Sequence, residues 1–434
     1  MKNCLDEFCH LSGQRVSFEK SVICVSPNVS ADLAHSIATI SGSPLTDCLG
    51  KYLGVPLIHK RVTKDTYHEI LDKVQKRLSS WKSHTLSMAG RITLVQSVTS
   101  AIPIYTMQTA QLPMSVCNKL DQLNRNFLWG HTDDKAKVHL VNWKTVCNPK
   151  ATGGLGLKSA ALMNKALLAK NAWRLHQDDH GLWAQVFKAK YLRNCDILAA
   201  NDSYTSCSSS AWRGILFGAQ IIPHGTKWRV GSGDTIRFWT DNWLSCGPLI
   251  QYATIDISED MLLLKVSDFF ADNTWNVNCL LERLPAHIVH LILCVHAGFQ
   301  DSGPDRCIWN LTTNGKFSVK TAYDISTIND DPLTWSWNFI WKLHIPIRIK
   351  TFLWVLCHKK LLTNVQRQKR GIGQDTSCPR CSSHVESLDH LFIDCTTTQL
   401  IGKDFWEDVE APNFPMVDFD SWLLKNLKSH CVLS

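Results

Sequence analysis

The sequence predicts a mainly α protein with small β-hairpins (α+β). Three observations carry that expectation. Apolar residues recur at three- and four-residue spacing through much of the chain, two short strand-like runs are broken by glycine-centred turns, and 44% hydrophobic against 19% charged residues, with 17 Trp, describes packed cores rather than a disordered chain. At 434 residues the chain is too long for one ordinary core, so its organisation is read segment by segment.

From the N-terminus, Leu5, Phe8, Cys9 and Leu11 predict a helix stopped at Ser12-Gly13, followed by a short strand from Val16 to Ile23. Tyr67, Ile70, Leu71, Val74, Leu78 and Trp81 share one face of an amphipathic helix, and Ile92, Val95 and Val98 line a second helix after Gly90. Val116 to Trp129 reads as a third helix, punctuated upstream by Pro103 and Pro113. Gly153-Gly154-Leu155-Gly156 precedes a helix from Ala160 to Leu175; without the lysine and hydroxyl of a phosphate loop, it reads as a backbone turn. The Ser-rich run from Asn201 to Ser210 marks a surface loop. Lys227–Val230 and Thr235–Trp239 flank Gly231-Ser232-Gly233-Asp234 as a hairpin, and Cys307–Leu311 with Lys316–Val319 form another through Asn314-Gly315. Trp335 to Thr363 reads as helices broken at Pro346, with Phe352, Leu353 and Leu356 facing a core and the basic residues outside; Trp341, Phe352 and Trp354 are read as core, with stacking on nucleic-acid bases as the alternative.

Seventeen Cys at no disulfide-like spacing, and Asp6-Glu7 where a signal peptide needs a cationic then apolar stretch, predict a reduced intracellular chain of the nucleus or cytoplasm. The most apolar stretch, Ala286 to Phe299, is interrupted by His287, His290 and His296 and falls short of the ~20 residues of a membrane span, so no membrane partner is expected. Those histidines read as helix-face or core residues. The formal charge is +8, and its distribution is uneven. Lys342, Arg348, Lys350, Lys359, Lys360, Arg367, Lys369 and Arg370 lie in one segment without a single Asp or Glu. A second basic stretch runs from Lys60 to Arg91, and the acidic compensation sits in the tail, from Asp394 to Asp420.

Cys378 and Cys381 form a Cys-x₂-Cys knuckle, and His390 and Cys395 follow closely, giving C-x₂-C-x₈-H-x₄-C. Soft and borderline donors at this spacing suit one tetrahedral zinc ion. Two thiolates on one turn supply half of the tetrahedron; His390 and Cys395, on a predicted helix from Glu386 to Asp394, supply the rest. All four positions are protein ligands, so the expected Zn²⁺ is structural. His384 is a rival ligand ranked below His390.

The chain also resembles a known family along most of its length. Ser12-Gly13-Gln14-Arg15-Val16, Glu19-Lys20-Ser21, Lys51-Tyr52-Leu53-Gly54-Val55-Pro56, Trp81-Lys82 and Leu86-Ser87-Met88-Ala89-Gly90-Arg91 follow the order of plant LINE-type (non-LTR) retrotransposon reverse transcriptases after their catalytic turn. Phe127-Leu128-Trp129-Gly130, Gly153 to Gly156, Asn164 to Leu168, Arg237 to Leu244, Gly315 to Lys320 and the knuckle continue that order. The resemblance implies the end of a palm over 1–58, a helical thumb and connection region over 59–200, a linker and hairpin region over 201–300, a reverse-transcriptase zinc-binding domain over 301–400 and an acidic tail over 401–434.

What the family implies is RNA-templated DNA synthesis through palm carboxylates that hold two Mg²⁺ ions. The carboxylates of that turn are not found here. Phe270-Ala271-Asp272 is a coincidental echo, with Asn273 in place of the second Asp and a position far too late in the order. Lys20 matches a palm lysine that donates a proton in polymerases, a role that is empty without the metal. Fewer than forty residues follow Cys395, too few for a ribonuclease H domain. The chain therefore reads as a truncated, non-catalytic, reverse-transcriptase-derived protein that binds RNA, DNA or both through the eight cations of 342–370. The alternatives are part of an active RNA-directed DNA polymerase, or a domesticated interaction protein.

Overall fold

A computed structural model describes the chain except residues 1, 19, 27, 48, 53, 58–62, 79–84, 132–135, 178–179, 193–196, 199–207, 272–273, 296–302, 328–336, 383, 406–418 and 424–434. Trp81, most of the Ser-rich loop, Asp272, His296 and most of the acidic tail lie outside the described residues. The fold is mainly α with a few two-stranded antiparallel pairs. Among the described residues no helix is long and apolar enough to cross a membrane. The chain divides into two compact units, Met1–Glu69 and Ile70–Ser434.

In the first unit, α1 (Lys2–Ser12) ends at Gly13, which takes the left-handed φ of 68° that terminates a helix cheaply only for glycine. α2 (Ala31–Ser41) is capped by Ser30, whose hydroxyl accepts from the Leu33 amide at 3.4 Å. β1 (Lys51–Tyr52) and β2 (Val55–Pro56) form a tight hairpin. The strand expected at Val16–Ile23 does not form. Ser17 turns the chain instead, its carbonyl accepting from the Ser21 amide at 3.0 Å and hydroxyl at 2.8 Å, and among the described residues of this segment only Ile23 reaches a strand-like partner, a single bridge to Leu45. A local bond of this kind competes directly with a ladder. A 3₁₀ turn, Lys64–Tyr67, leads into α3 (His68–Arg77) as the periodicity anticipates.

The second unit holds three apolar clusters. In the first, α4 (Met88–Leu94) and α5 (Met114–Trp129) contribute Ile92, Phe127 and Leu128, and the loop after Gly154 contributes Leu155 and Leu157. These pack with Trp337, Ile340 and Trp354–Cys357 from far along the chain. In the second, α6 (Ala160–His176) packs on α7 (Ser210–Ala219) and on Trp309 and Tyr323. The third is built on Ile236, Phe238, Trp239 and Trp243 with α8 (Val277–Arg283) and α9 (Ala286–Leu293).

Both hairpins expected in this unit are repartnered. β3 (Thr226–Arg229) pairs with β6 (Arg306–Trp309), from Thr226 opposite Trp309 to Arg229 opposite Arg306; a separate small pair joins β4 (Phe270–Ala271) to β5 (Thr274–Trp275). The cause is Asp305. Its carboxylate accepts from the amides of Gly231 (2.7 Å), Gly233 (2.8 Å) and Thr235 (2.9 Å) and from the Thr235 hydroxyl (2.8 Å), so the glycine loop spends its donors on a side chain. Phe238 and Trp239 then turn into the core rather than alternate along a strand. The Asn314-Gly315 turn forms, with Gly315 at φ 68°, but Val319 begins α10 (Val319–Thr327), and the Trp309 indole donates to Thr321 Oγ1 at 2.7 Å.

Burial pushes the Asp305 carboxyl up, and the four hydrogen bonds outweigh it and hold the group below its ordinary 3.8. A depressed carboxylate contributes stability that is present above the unfolded pKa and disappears as pH falls below it. Asp305→Ala is expected to cost about 2 kcal/mol by stranding three amide donors. Denaturant titrations of both proteins check this: the gap should be full near neutral pH and shrink below about pH 4.

Candidate metal centre and basic face

α11 (Asn338–Lys342), α12 (Ile347–Cys357) and α13 (Asn364–Lys369) lead to the knuckle. Pro346 sits at the N-cap of α12, where its missing amide costs nothing. α12 is anchored on the Gly153–Gly156 turn: the Trp354 indole and the His358 Nε2–H both donate to the Gly153 carbonyl at 2.8 Å, and the His358 ring stacks on Trp337 with centroids 4.4 Å apart. A Cβ at Gly154 would lie 1.8 Å from the Asn148 carbonyl oxygen, so only glycine lets the turn close. The turn serves packing, as its lack of phosphate-loop residues implies. Burial lowers the His358 pKa despite the carbonyl bond, so the ring is neutral at physiological pH.

The knuckle is a small closed loop. Ser377 bridges Val385, the Cys378 amide donates to the His384 carbonyl at 2.8 Å, and the Ser382 amide donates back to Cys378 at 2.8 Å, with Ser382 at φ 55°. The segment expected as a helix to Asp394 ends in one wide π turn, His390–Asp394, whose carbonyl at His390 accepts from the Cys395 amide at 2.8 Å. That turn places His390 and Cys395 side by side. Leu388, Phe392 and Ile393 tie it to the first cluster.

The donor atoms of Cys378, Cys381, His390 and Cys395 all lie within 4.8 Å of one another. Cys378 Sγ is 4.0 Å from Cys395 Sγ, and Cys381 Sγ is 3.3 Å from His390 Nε2. A regular zinc tetrahedron has S···S edges of about 3.8 Å and S···N edges of about 3.5 Å, from Zn–S and Zn–N bonds of about 2.3 and 2.0 Å. The spacing and the donor chemistry therefore fit zinc. Cys378, Cys395 and His390 are buried and Cys381 is half-buried. Burial pushes the Cys395 thiol up, but the Thr398 and Thr397 amides, the Thr398 hydroxyl and the Cys378 thiol bring it down to about 7. The Cys381 amide draws Cys378 down, and burial with the neighbouring thiols raises it overall. By contrast, burial pushes Cys117 and Cys357 up to about 12, where they are inert. His384 stacks on His390 at 5.4 Å and is not among the four donors. His287 and His290 lie exposed on α9.

The eight cations divide by environment. Lys350 Nζ donates to the Trp341 carbonyl at 2.9 Å, Lys359 pairs with Asp420 at 2.8 Å, and Arg370 donates to the carbonyls of His139 and Leu140 at 3.0 and 3.2 Å. Lys342, Arg348, Lys360, Arg367 and Lys369 are exposed. One connection escaped sequence reasoning: Glu386 accepts the Asn364 amide at 2.8 Å, and the Asn364 side-chain amide donates to the Ser377 carbonyl at 2.8 Å. Both contacts join the knuckle to the start of α13. Thr363-Asn364 is legible as a helix start, whereas a glutamate twenty-odd residues on carries no sequence signal.

Residues 317–401 match the family described as zinc-binding in reverse transcriptase. The "Putative ribonuclease H protein" of Arabidopsis thaliana is 37% identical over 396 residues, 86% of this chain and 61% of that protein, so the chain spans less than two thirds of its length. An "Uncharacterized mitochondrial protein" of the same plant is 30% identical over 145 residues, 33% of this chain and 93% of that protein. With the ordered motifs and the Cys₃His cluster, these matches identify the lineage: the chain belongs to the proteins derived from plant retrotransposon reverse transcriptases.

Proposed function

We propose that this chain is a nucleic-acid-binding, non-catalytic part of a reverse-transcriptase-derived protein, in which a zinc-closed knuckle holds a basic face in place. Cys378, Cys381, His390 and Cys395 are the ligands, and four protein donors leave no coordination position for a reacting water. The bound metal supplies folding energy to a segment too small to fold alone. The observation that carries the reading is the pair of Asn364 contacts, because α13, with Arg367 and Lys369, is held at its first turn by the knuckle. Lys342 on α11, Arg348 on α12 and Lys360 in the segment between α12 and α13 extend the charge. Lys350, Lys359 and Arg370, engaged by protein groups, contribute less to phosphate binding and more to packing.

The test is binding of the purified chain to an RNA–DNA hybrid across a salt series. Five phosphate contacts predict an observed slope of log K against log salt on the order of −4, and alanine at Lys360, Arg367 and Lys369 together should flatten it by about 2–3. Absent binding at low salt, or binding indifferent to salt, would sink the proposal. The greater length of the Arabidopsis relative favours a second reading, that this stretch serves an RNA-directed DNA polymerase whose catalytic carboxylates lie in another part of the protein.

A further inference from the structure

Phe352 was expected to face the core with Leu353 and Leu356, and it does not. α12 turns Trp354, Val355 and Leu356 inward, with relative exposures of 0%, 5% and 2%, while Phe352 is 45% exposed. Ile349, three positions before it, is 39% exposed, and Ile347 at the start of α12 is 52% exposed. Arg348 precedes Phe352 by four positions, so the two side chains are neighbours on one helix face. Arg348 is exposed, and no acid occurs in the sequence from Lys342 to Gln374.

An aromatic ring half in water beside a cation is uncovered apolar surface with a charge preference. A protein partner is poorly matched to it: three half-exposed side chains fall far short of the ~800 Å² per partner of a standard interface. An unpaired nucleotide matches both features, since a base is a flat apolar face that stacks on aromatic side chains and its phosphate is an anion. A duplex keeps its bases stacked on one another and offers Phe352 nothing.

We propose that Phe352 is a base-stacking residue: an unpaired base of single-stranded RNA or DNA lies on its ring while Arg348 holds the adjacent phosphate. The inference rests on the nucleic-acid reading above and adds a preference for single strands.

The test compares the full chain with Phe352→Ala, Phe352→Leu and Phe352→Trp, using an oligonucleotide that carries 2-aminopurine and the same strand annealed to its complement. The wild-type chain and Phe352→Trp should bind the single strand more tightly than the duplex and quench 2-aminopurine. Phe352→Ala should bind the single strand about five- to a hundredfold more weakly. Phe352→Leu, which keeps apolar volume but no aromatic face, should lose most of the quenching. Salt slope, duplex affinity and zinc content should stay as in the wild type, because no charge or ligand changes. If the alanine and leucine variants bind the single strand as the wild type does, with salt dependence intact, the stacking role is overturned and the basic face stands. If the wild type binds neither probe, both fail. A wild-type dimer that Phe352→Ala dissociates would also overturn it, making this face a contact between copies.

Discussion

Cys395→Ser is expected to reduce bound zinc from about one ion per chain to near zero and to unfold the knuckle, since apparent zinc-binding free energies in such modules are of order 10 kcal/mol and are spent on folding. Metal analysis checks the first effect. Hydrogen exchange checks the second: the amides of Cys378, Ser382 and Cys395, each bonded within the knuckle at 2.8 Å, should lose protection. The Asn364 amide should follow, because its acceptor is Glu386. Loss should stop short of α4 and α5, whose buried residues also pack on α11 and α12. Cys117→Ser and Cys357→Ser should leave zinc content unchanged. Acid should weaken zinc retention in the wild type, because the ligands must lose their protons to bind.

Trp354→Ala is expected to cost about 3–5 kcal/mol, the range for deleting a large buried aromatic side chain. Trp354 is fully buried in the cluster shared by Ile92, Phe127, Leu155 and Ile340, and its indole shares the Gly153 carbonyl with His358. The cost should appear in denaturant unfolding as a lowered midpoint with zinc still bound in the native state. Trp354→Phe should recover the larger share, since it restores most of the volume and loses only the indole hydrogen bond, worth about 1 kcal/mol. The shared cluster explains the size of both effects: α4, α5 and the loop after Gly154 pack against α11 and α12, so neither set has a complete core alone.

The helices were legible in the sequence where an apolar stripe repeats over several turns. α3, α4, α5 and α6 form within a few residues of where Tyr67, Ile92, Val116 and Ala160 indicate. The turns were legible too, for the local chemistry of Gly153 and Gly315. Strand partners were not. β3 pairs with β6 across nearly eighty residues, and the choice is made by Asp305, a single carboxylate that a local hairpin signal cannot register. Val16–Ile23 has the alternation of a strand, but the local bonds of Ser21 to the Ser17 carbonyl turn the chain before a ladder can form.

The Cys₃His cluster was the most legible part of the site, because zinc demands particular side chains at short spacing and few other reasons place them so. The cations were legible as charge but not as function. Composition counts Lys350, Lys359 and Arg370 equally with Arg367, whereas their carbonyl and carboxylate partners separate them. Phe352 was misplaced for a related reason: next to Leu353 and Trp354 in an apolar run, it differs from them by one helical step, and only the packing of α12 decides which of the three faces water.

X-ray absorption at the zinc edge of the purified chain tests the closed structural knuckle most directly. The expected first shell holds three sulfurs at about 2.3 Å and one nitrogen at about 2.0 Å, and nothing else. A shell that includes a water oxygen would contradict it, as would a folded zinc-free chain with the amides of Cys378, Ser382, Asn364 and Cys395 still protected.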